Sequence, residues 1–467
     1  MRKVYAIAGG LAVAVCEAAV LCLVFAPLGW AQAGAWHARA AMPTARCCAA
    51  AAAIGGKIYV VGGFADPVGN LSTLEVYNPA TDTWTEKAPM PTPRAYLGAA
   101  AFDGVLYAIG GENTRAGYTG TVEAYDPRTN TWTSKASMPT PRSMLALTVA
   151  GGELYALGGD GASPWLRTAE AYKPATNSWR ALTPMPAGRS QPSATAVSGK
   201  VYVVGGNYGA TVRTLFAYNP QTGVWDTETP MPTARDGLAA ALVDGQIYAV
   251  GGRDGGQYTI VEAYDPATNS WSVEPPLPTG RHNLVSAVVD DTIYAIGGLG
   301  FQCCIGSEPF LATNEAFSPF LAVNIDIKPG DATNTINLKS GGVVPVAILG
   351  SATFDPMTVD PATMTLTAAT DNGSGAPGGA SVATRGRGVS MTATADVNHD
   401  GYPDLILYFR TQDLQLTAAS TEAVLYGKTY SGTPIRGSDM VRIVPPPNAH
   451  GPGRMGPRHG LLRPNIR

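Results

Sequence analysis

Oxygen-bearing side chains recur at alternate positions in Asp396-x-Asn398-x-Asp400-Gly401-x-x-Asp404. That spacing, with a glycine sixth to permit a tight turn, suits a hard cation such as calcium, to which Tyr402 would add its carbonyl. The twelfth place holds Leu407, where a full EF-hand loop needs a bidentate glutamate. A short structural calcium loop with an affinity of about 10⁻⁴ to 10⁻³ M is therefore expected, with a plain Asx-rich turn as the alternative. A second chemistry belongs to sulfur. Beyond residue 33 the cysteines come as two vicinal pairs, Cys47-Cys48 and Cys303-Cys304, which are disulfide candidates in an oxidising compartment. No Ser-His-Asp constellation is recognisable, nor a phosphate-cradling glycine loop ahead of a helix.

A third group of reactive side chains sits inside a repeat. Gly-Gly doublets begin at Gly62, Gly110, Gly158, Gly205, Gly251 and Gly297. Each first glycine is preceded by a Tyr three residues back and by an Arg sixteen back, namely Arg46, Arg94, Arg142, Arg189, Arg235 and Arg281. A Trp stands ten residues before each of those arginines, from Trp36 to Trp271. A period of 46 to 48 residues signals a repeat architecture. Within residues 94–138 the runs Leu97 to Phe102, Val105 to Ile109, Val122 to Tyr125 and a stretch around Trp132 are separated by turn residues such as Asp103-Gly104 and Asp126-Pro127. They read as four strands, a to d.

One four-stranded sheet cannot bury both faces, whereas copies set radially cover one another. The doublet, a later Tyr and a Trp seven residues after it, as in Tyr125 and Trp132, resemble the kelch motif over residues 36 to 320. The resemblance implies an all-β, six-bladed kelch β-propeller. The sixth repeat has Glu315-Ala316-Phe317 as its third strand but no Trp at 324, while Trp36 stands ahead of Arg46 with no doublet before it. The N-terminal segment is therefore expected to supply the outer strand of blade 6, closing the ring and removing an exposed edge. The repeated Gly, Tyr and Trp are read as packing residues. Strand parity puts Cys47 and Cys48 on the same side of the blade 6 to blade 1 seam as Cys303 and Cys304. Disulfides across that seam and two vicinal disulfides are both open.

The flanks differ in kind. Residues 1–33 pair Arg2-Lys3 with an apolar stretch from about Val4 to Leu28 and a small-x-small site at Ala31-Gln32-Ala33, which reads as a secretory signal peptide. A periplasmic, envelope or extracellular destination follows, with no membrane span after cleavage; an uncleaved anchor is the alternative, since the stretch is long enough to span a bilayer. Residues 34–320 would form the propeller. Residues 321–444 carry many strand-like runs without helical period and read as a β-sandwich-like module. Its segments VNIDIKPG, GGVVPVAILG, DVNHDGYPDL, TQDLQL and GSDMVRIVP resemble an accessory module of exported bacterial proteins, so the whole is similar to a secreted bacterial-type kelch-repeat protein. Residues 445–467, rich in Pro, Gly, Arg and His, read as a disordered basic tail. With 32 Lys and Arg against 35 Asp and Glu and no basic stripe, nucleic acid is not an expected partner.

In propellers of this kind the loops that vary carry recognition. Here the length variation lies between the doublet and the following Tyr or Phe, in the b–c loops, which strand parity puts on one face with the strand-a arginines. The candidate ligand residues are Arg94, Glu112, Arg115, Tyr118, Asp160, Trp165, Tyr208, Arg253, Asp254 and Arg281. Aromatics mixed with carboxylates and arginines suit a protein or glycan ligand. Kelch-like copper radical oxidases need two histidines, two tyrosines and a cysteine, and this chain has five histidines, of which only His282 stands at a strand-a start. Periplasmic kelch-type sialic-acid mutarotases are the enzymatic alternative, with Glu112, Asp160 and Arg253 as acid, base and anchoring groups. The reading favoured is an exported, non-catalytic recognition protein with a structural calcium.

Overall fold

Runs of about five apolar residues ended by Asp, Asn or Gly turns are long enough for a strand and too short for a helix. In the second repeat Gly98–Phe102 and Val105–Ile109 are joined by Asp103-Gly104, whose φ angles of 50° and 71° match the two left-handed positions of a tight hairpin turn. Val122–Asp126 and Thr131–Lys135 complete an antiparallel sheet in sequential order. The computed structural model describes residues 34–256, 258–300, 309–369, 379–385 and 388–444. The expected leader, the basic tail, and Cys303 and Cys304 lie outside the described residues.

Five sheets are built from consecutive strands. The sixth takes Val285–Val289, Thr292–Ile296 and Asn314–Ser318 and then Ala35–Arg39 from the other end of the chain, with Trp36 opposite Phe317. The fold is the expected six-bladed propeller closed by an N-terminal strand. Each periodic tryptophan indole donates to a carbonyl in the segment that leads into its own blade: Trp84 to Ala40, Trp132 to Ala88, Trp179 to Ala136, Trp225 to Thr183 and Trp271 to Thr229. Trp36 repeats the bond, 2.9 Å to Pro275 O, and stacks on Phe317 at 5.1 Å.

The repeated arginines are interior residues. Arg46, Arg94, Arg142, Arg235 and Arg281 reach Glu75, Glu123, Glu170, Glu262 and Glu315 at 2.5–2.9 Å. A threonine hydroxyl donates to the other oxygen of each glutamate, at 2.6–2.9 Å. Burial pulls each of these guanidinium groups below the ordinary 12.5, and the glutamate pulls back upward. Blade 4 lacks both partners. Ala187 and Phe216 stand where the threonine and glutamate would be, and Arg189 turns to the carbonyls of Gly205 and Thr214 and lies 4.3 Å over the Phe216 ring. The Gly-Gly doublet lies where neighbouring blades touch. A Cβ on Gly62 or Gly63 would sit 2.7 Å from the carbonyl oxygen of Arg94 or Cys47, and the φ angles are 65° and 102°.

Two residues past each arginine the main chain joins its neighbours in a closed circle. The amides of Tyr96, Met144, Gln191, Gly237, Asn283 and Cys48 each donate to the carbonyl of the corresponding residue one blade back, at 2.7–3.3 Å, until Cys48 meets Asn283. All six have φ between 51° and 59°. The circle surrounds the axis of a channel of about 1270 Å³ lined by the first strands, with Ala51, Ala99, Thr148, Ala194, Ala240 and Ser286 among its walls.

After Phe320 the chain builds a β-sandwich. One sheet orders Leu321–Ala322, Pro434–Met440, Glu422–Thr429, Val359–Ala368 and Ala380–Ser381, and the other Ile325–Ile327, Val343–Ile348, Asp404–Arg410 and Thr392–Ala395. Ile327, Val346, Leu366, Leu407 and Leu425 are among the residues of the core between them. The sandwich docks on an a–b turn of blade 6, where buried Asp291 meets Arg436 at 2.6 Å and accepts from the Tyr426 hydroxyl at 2.7 Å.

Trp36→Ala should lower the unfolding free energy by about 3 kcal/mol and Glu123→Ala by about 3–5 kcal/mol, because Arg94 is left buried alone. Phe216→Glu combined with Ala187→Thr, which gives blade 4 the trio of the others, should change it by less than about 1 kcal/mol in the same denaturant titrations. Burial also raises Tyr125, Tyr155, Tyr172 and Tyr294 from 10.0 to about 12. A phenol raised in the folded state contributes stability in full below its unfolded value and loses it as the pH climbs through the folded one. Stability should hold to about pH 10 and then fall, and phenolate absorbance should rise together with loss of sheet circular dichroism.

Candidate functional site

Successive side chains on an extended chain alternate in direction. One residue past each interior arginine, the chain bridges back to the residue that follows its own glycine doublet: Ala95 to Glu112, Ser143 to Asp160, Ser190 to Asn207, Asp236 to Arg253, Cys47 to Phe64, and His282 to Leu299. Six such bridges on the b–c loop side make a floor just outside the backbone circle.

The floor has two sectors. Around blades 2 to 6 runs an arc of paired polar side chains. Ser143 Oγ donates to Glu112 Oε2 at 3.0 Å, and Ser190 Oγ to Asp160 Oδ2 at 2.8 Å. Asp236 accepts from Asn207 Nδ2 at 3.2 Å and from Arg253 Nε at 3.1 Å. Arg253 Nη1 lies 3.1 Å from His282 Nε2. A guanidinium can only donate, so Nε2 accepts and the imidazole is neutral. Burial, and then the Arg253 charge, bring His282 down to about 4, which keeps it neutral at physiological pH. The other sector is apolar: Cys47, Cys48 and Ala95 pack with Phe64, Tyr96, Leu299 and Phe310.

The expected ligand residues divide accordingly. Glu112, Asp160 and Arg253 are in the arc. Trp165 and Tyr208, from the loops of blades 3 and 4, meet edge to face at 5.5 Å and 64°, and both remain exposed. Tyr118, Arg115 and Asp254 are exposed on the loops outside the arc. Arg94 and Arg281 are a correction. Both are fully buried on glutamates inside their blades, because the alternation that places the next residue at the mouth turns the arginine away from it. Asp236, Ser143, Ser190 and His282 were not singled out as ligand residues. Their signal was the position after the repeated arginine, which reads Cys, Ala, Ser, Ser, Asp and His within an otherwise constant frame.

The sulfurs of Cys47 and Cys48 lie against each other, the arrangement a vicinal disulfide would need, while Cys303 and Cys304 lie outside the described residues. In the loop from Asp396 to Asp404, each carboxylate has its own donors. Asp396 accepts from the amides of Asp400 and Gly401, Asp400 from Tyr402 N and Asn398 Nδ2, and fully buried Asp404 from Val397 N and Gly350 N. Each carboxylate of the loop thus accepts two hydrogen bonds from within the protein, and among the described residues no three His, Cys, Asp or Glu group closely enough to hold a metal. Among the described residues no helix is long and apolar enough to cross a membrane.

Comparison with known proteins bears on the repeat. No curated protein matches the chain. Among solved structures it is similar to one titled "Structure of YjhT", at 19% identity and a TM-score of 0.49, over 58% of this chain and 95% of that one. The domain described as "KLHDC2/KLHL20/DRC7 Kelch-repeats domain" matches residues 2–206 and 135–298. Those two stretches overlap and together cover well over half of the sequence, and the chain belongs to the kelch-repeat family.

Proposed function

We propose that this is an exported, non-catalytic recognition protein that takes a protein or glycan ligand on the b–c loop face of its propeller. The observation that carries the reading is the division of that face into a tethered polar arc and an apolar sector around one mouth. The turn of blade 6 at the other end is engaged by the sandwich through Asp291, Tyr426 and Arg436. Side chains already held by their neighbours bind with little further loss of freedom. Export rests on the apolar leader, and the vicinal cysteine pairs suit the oxidising compartment it would reach. The mutarotase reading remains the alternative, since its acid, base and anchoring candidates Glu112, Asp160 and Arg253 all stand in the arc. Calcium is proposed only as an added structural ion of the 396–404 loop, and recognition does not depend on it.

A printed glycan array and a panel of purified exported proteins would be probed with the wild type and with a Glu112→Ala, Trp165→Ala, Arg253→Ala triple variant. Binding found for the wild type should weaken by about tenfold or more in the variant, with circular dichroism unchanged, and should persist in a calcium chelator. Equal binding by the two proteins would move the ligand off this face. N-terminal sequencing of the exported product should begin at Gly34, and a retained leader would defeat the export assignment.

A further inference from the structure

We infer that the ligand of this face is a neutral pyranose sugar, stacked on the corner formed by Trp165 and Tyr208; the inference rests on the face assignment above. Trp165 is 37% and Tyr208 58% exposed, and their near-perpendicular rings leave flat apolar surface open to solvent. Trp165 stands outside the tryptophan period of the blades and is displayed at a structural cost. Its φ of 52° is a left-handed value that a bulky side chain rarely takes. Two features hold it there. Its amide donates to Asp160 Oδ1 at 2.8 Å, and its carbonyl presses on Gly188, where any Cβ would collide with it. The other repeats carry Ala or Pro at the place of Gly188, except the sixth, which has Gly280.

The neighbours of the corner are hydroxyl-recognising groups already aimed. Asp160 is fixed by Ser190 and by the Trp165 amide, and Asn207, next to Tyr208, is fixed by Asp236. Carboxylate and amide groups beside an exposed aromatic face meet both needs of a pyranose, hydrogen bonds for its hydroxyls and a ring for its C–H face. Charge selects within the class. The arc holds Glu112, Asp160 and Asp236 against Arg253, with His282 neutral, while exposed Arg167 and Arg213 stand at the outer ends of the two loops, so a carboxylate seated over the arc meets net repulsion. A peptide anchor would need an apolar pocket beside the rings, and the apolar sector lies instead at Phe64, Phe310 and Tyr96.

The full chain would be titrated by calorimetry and saturation-transfer NMR with methyl β-glucopyranoside, methyl β-galactopyranoside, methyl α-mannopyranoside, N-acetylglucosamine and glucuronate. At least one neutral sugar should bind. Trp165→Ala should weaken that sugar by about tenfold or more and Tyr208→Ala by about threefold or more. Gly188→Ala, which keeps both rings but displaces the Trp165 backbone, should weaken it as well, with circular dichroism unchanged in all three. Glucuronate should bind more weakly than its neutral counterpart. Failure of every neutral sugar, or preference for glucuronate, overturns the inference. The face assignment survives that result if ligands in the array and protein panel still need Trp165 and Arg253, and falls with it if they do not.

Discussion

Everything in the propeller is referred to a closed circle of six main-chain hydrogen bonds running through Cys48, Tyr96, Met144, Gln191, Gly237 and Asn283. Each member donates to one blade and accepts from the other, so no blade can rotate or slip without opening two bonds. Holding amide and carbonyl along the circumference requires a left-handed backbone, and five of the six residues adopt it with a side chain attached. That conformation costs roughly 1 kcal/mol or more per residue, and ring closure offsets it. The doublet glycines, the indole bonds and the N-terminal strand each bring the blades to the separation at which the circle can form.

Below the circle, a second constraint is electrostatic. Five buried arginines are each matched by a glutamate and a threonine, and the one blade without them replaces both together. A glutamate alone in place of Phe216 would find no hydroxyl, and a threonine alone would face an aromatic ring. An aromatic face accepts a guanidinium without demanding a second charge, which explains how blade 4 keeps Arg189 in the same frame. Such pairs hold geometry more than they add stability, since desolvating both ions offsets most of their attraction.

The mouth of the channel inherits its design from that frame. An arginine fixed inside the blade hands its successor to the floor, and the doublet hands its own successor to the same place, so the fold delivers twelve positions in a ring whatever their chemistry. Polar types collected on one arc then satisfy one another, and apolar types on the other arc pack with the Cys47–Cys48 unit. The sandwich is anchored to Asp291 on an a–b turn, at the end of the blades opposite the b–c loops.

Repeat number, strand order and closure by Trp36 were legible in the chain, because spacing in a repeat is set by backbone geometry that every copy shares. The loop residues of the arc were legible too, since Glu112, Asp160 and Arg253 each follow a doublet directly. Their partners were not. Ser143, Ser190 and His282 come from the next blade, 29 to 31 residues away in sequence, as does Asp236 relative to Asn207, and only the packing of blades brings them within hydrogen-bond reach. Arg94 and Arg281 were misplaced by a single residue of alternation, which spacing cannot resolve without knowing which face of the strand the core occupies. Sequence determined what is periodic; tertiary structure decided which side chains meet across blades, because those meetings depend on distances through space that no interval along the chain encodes.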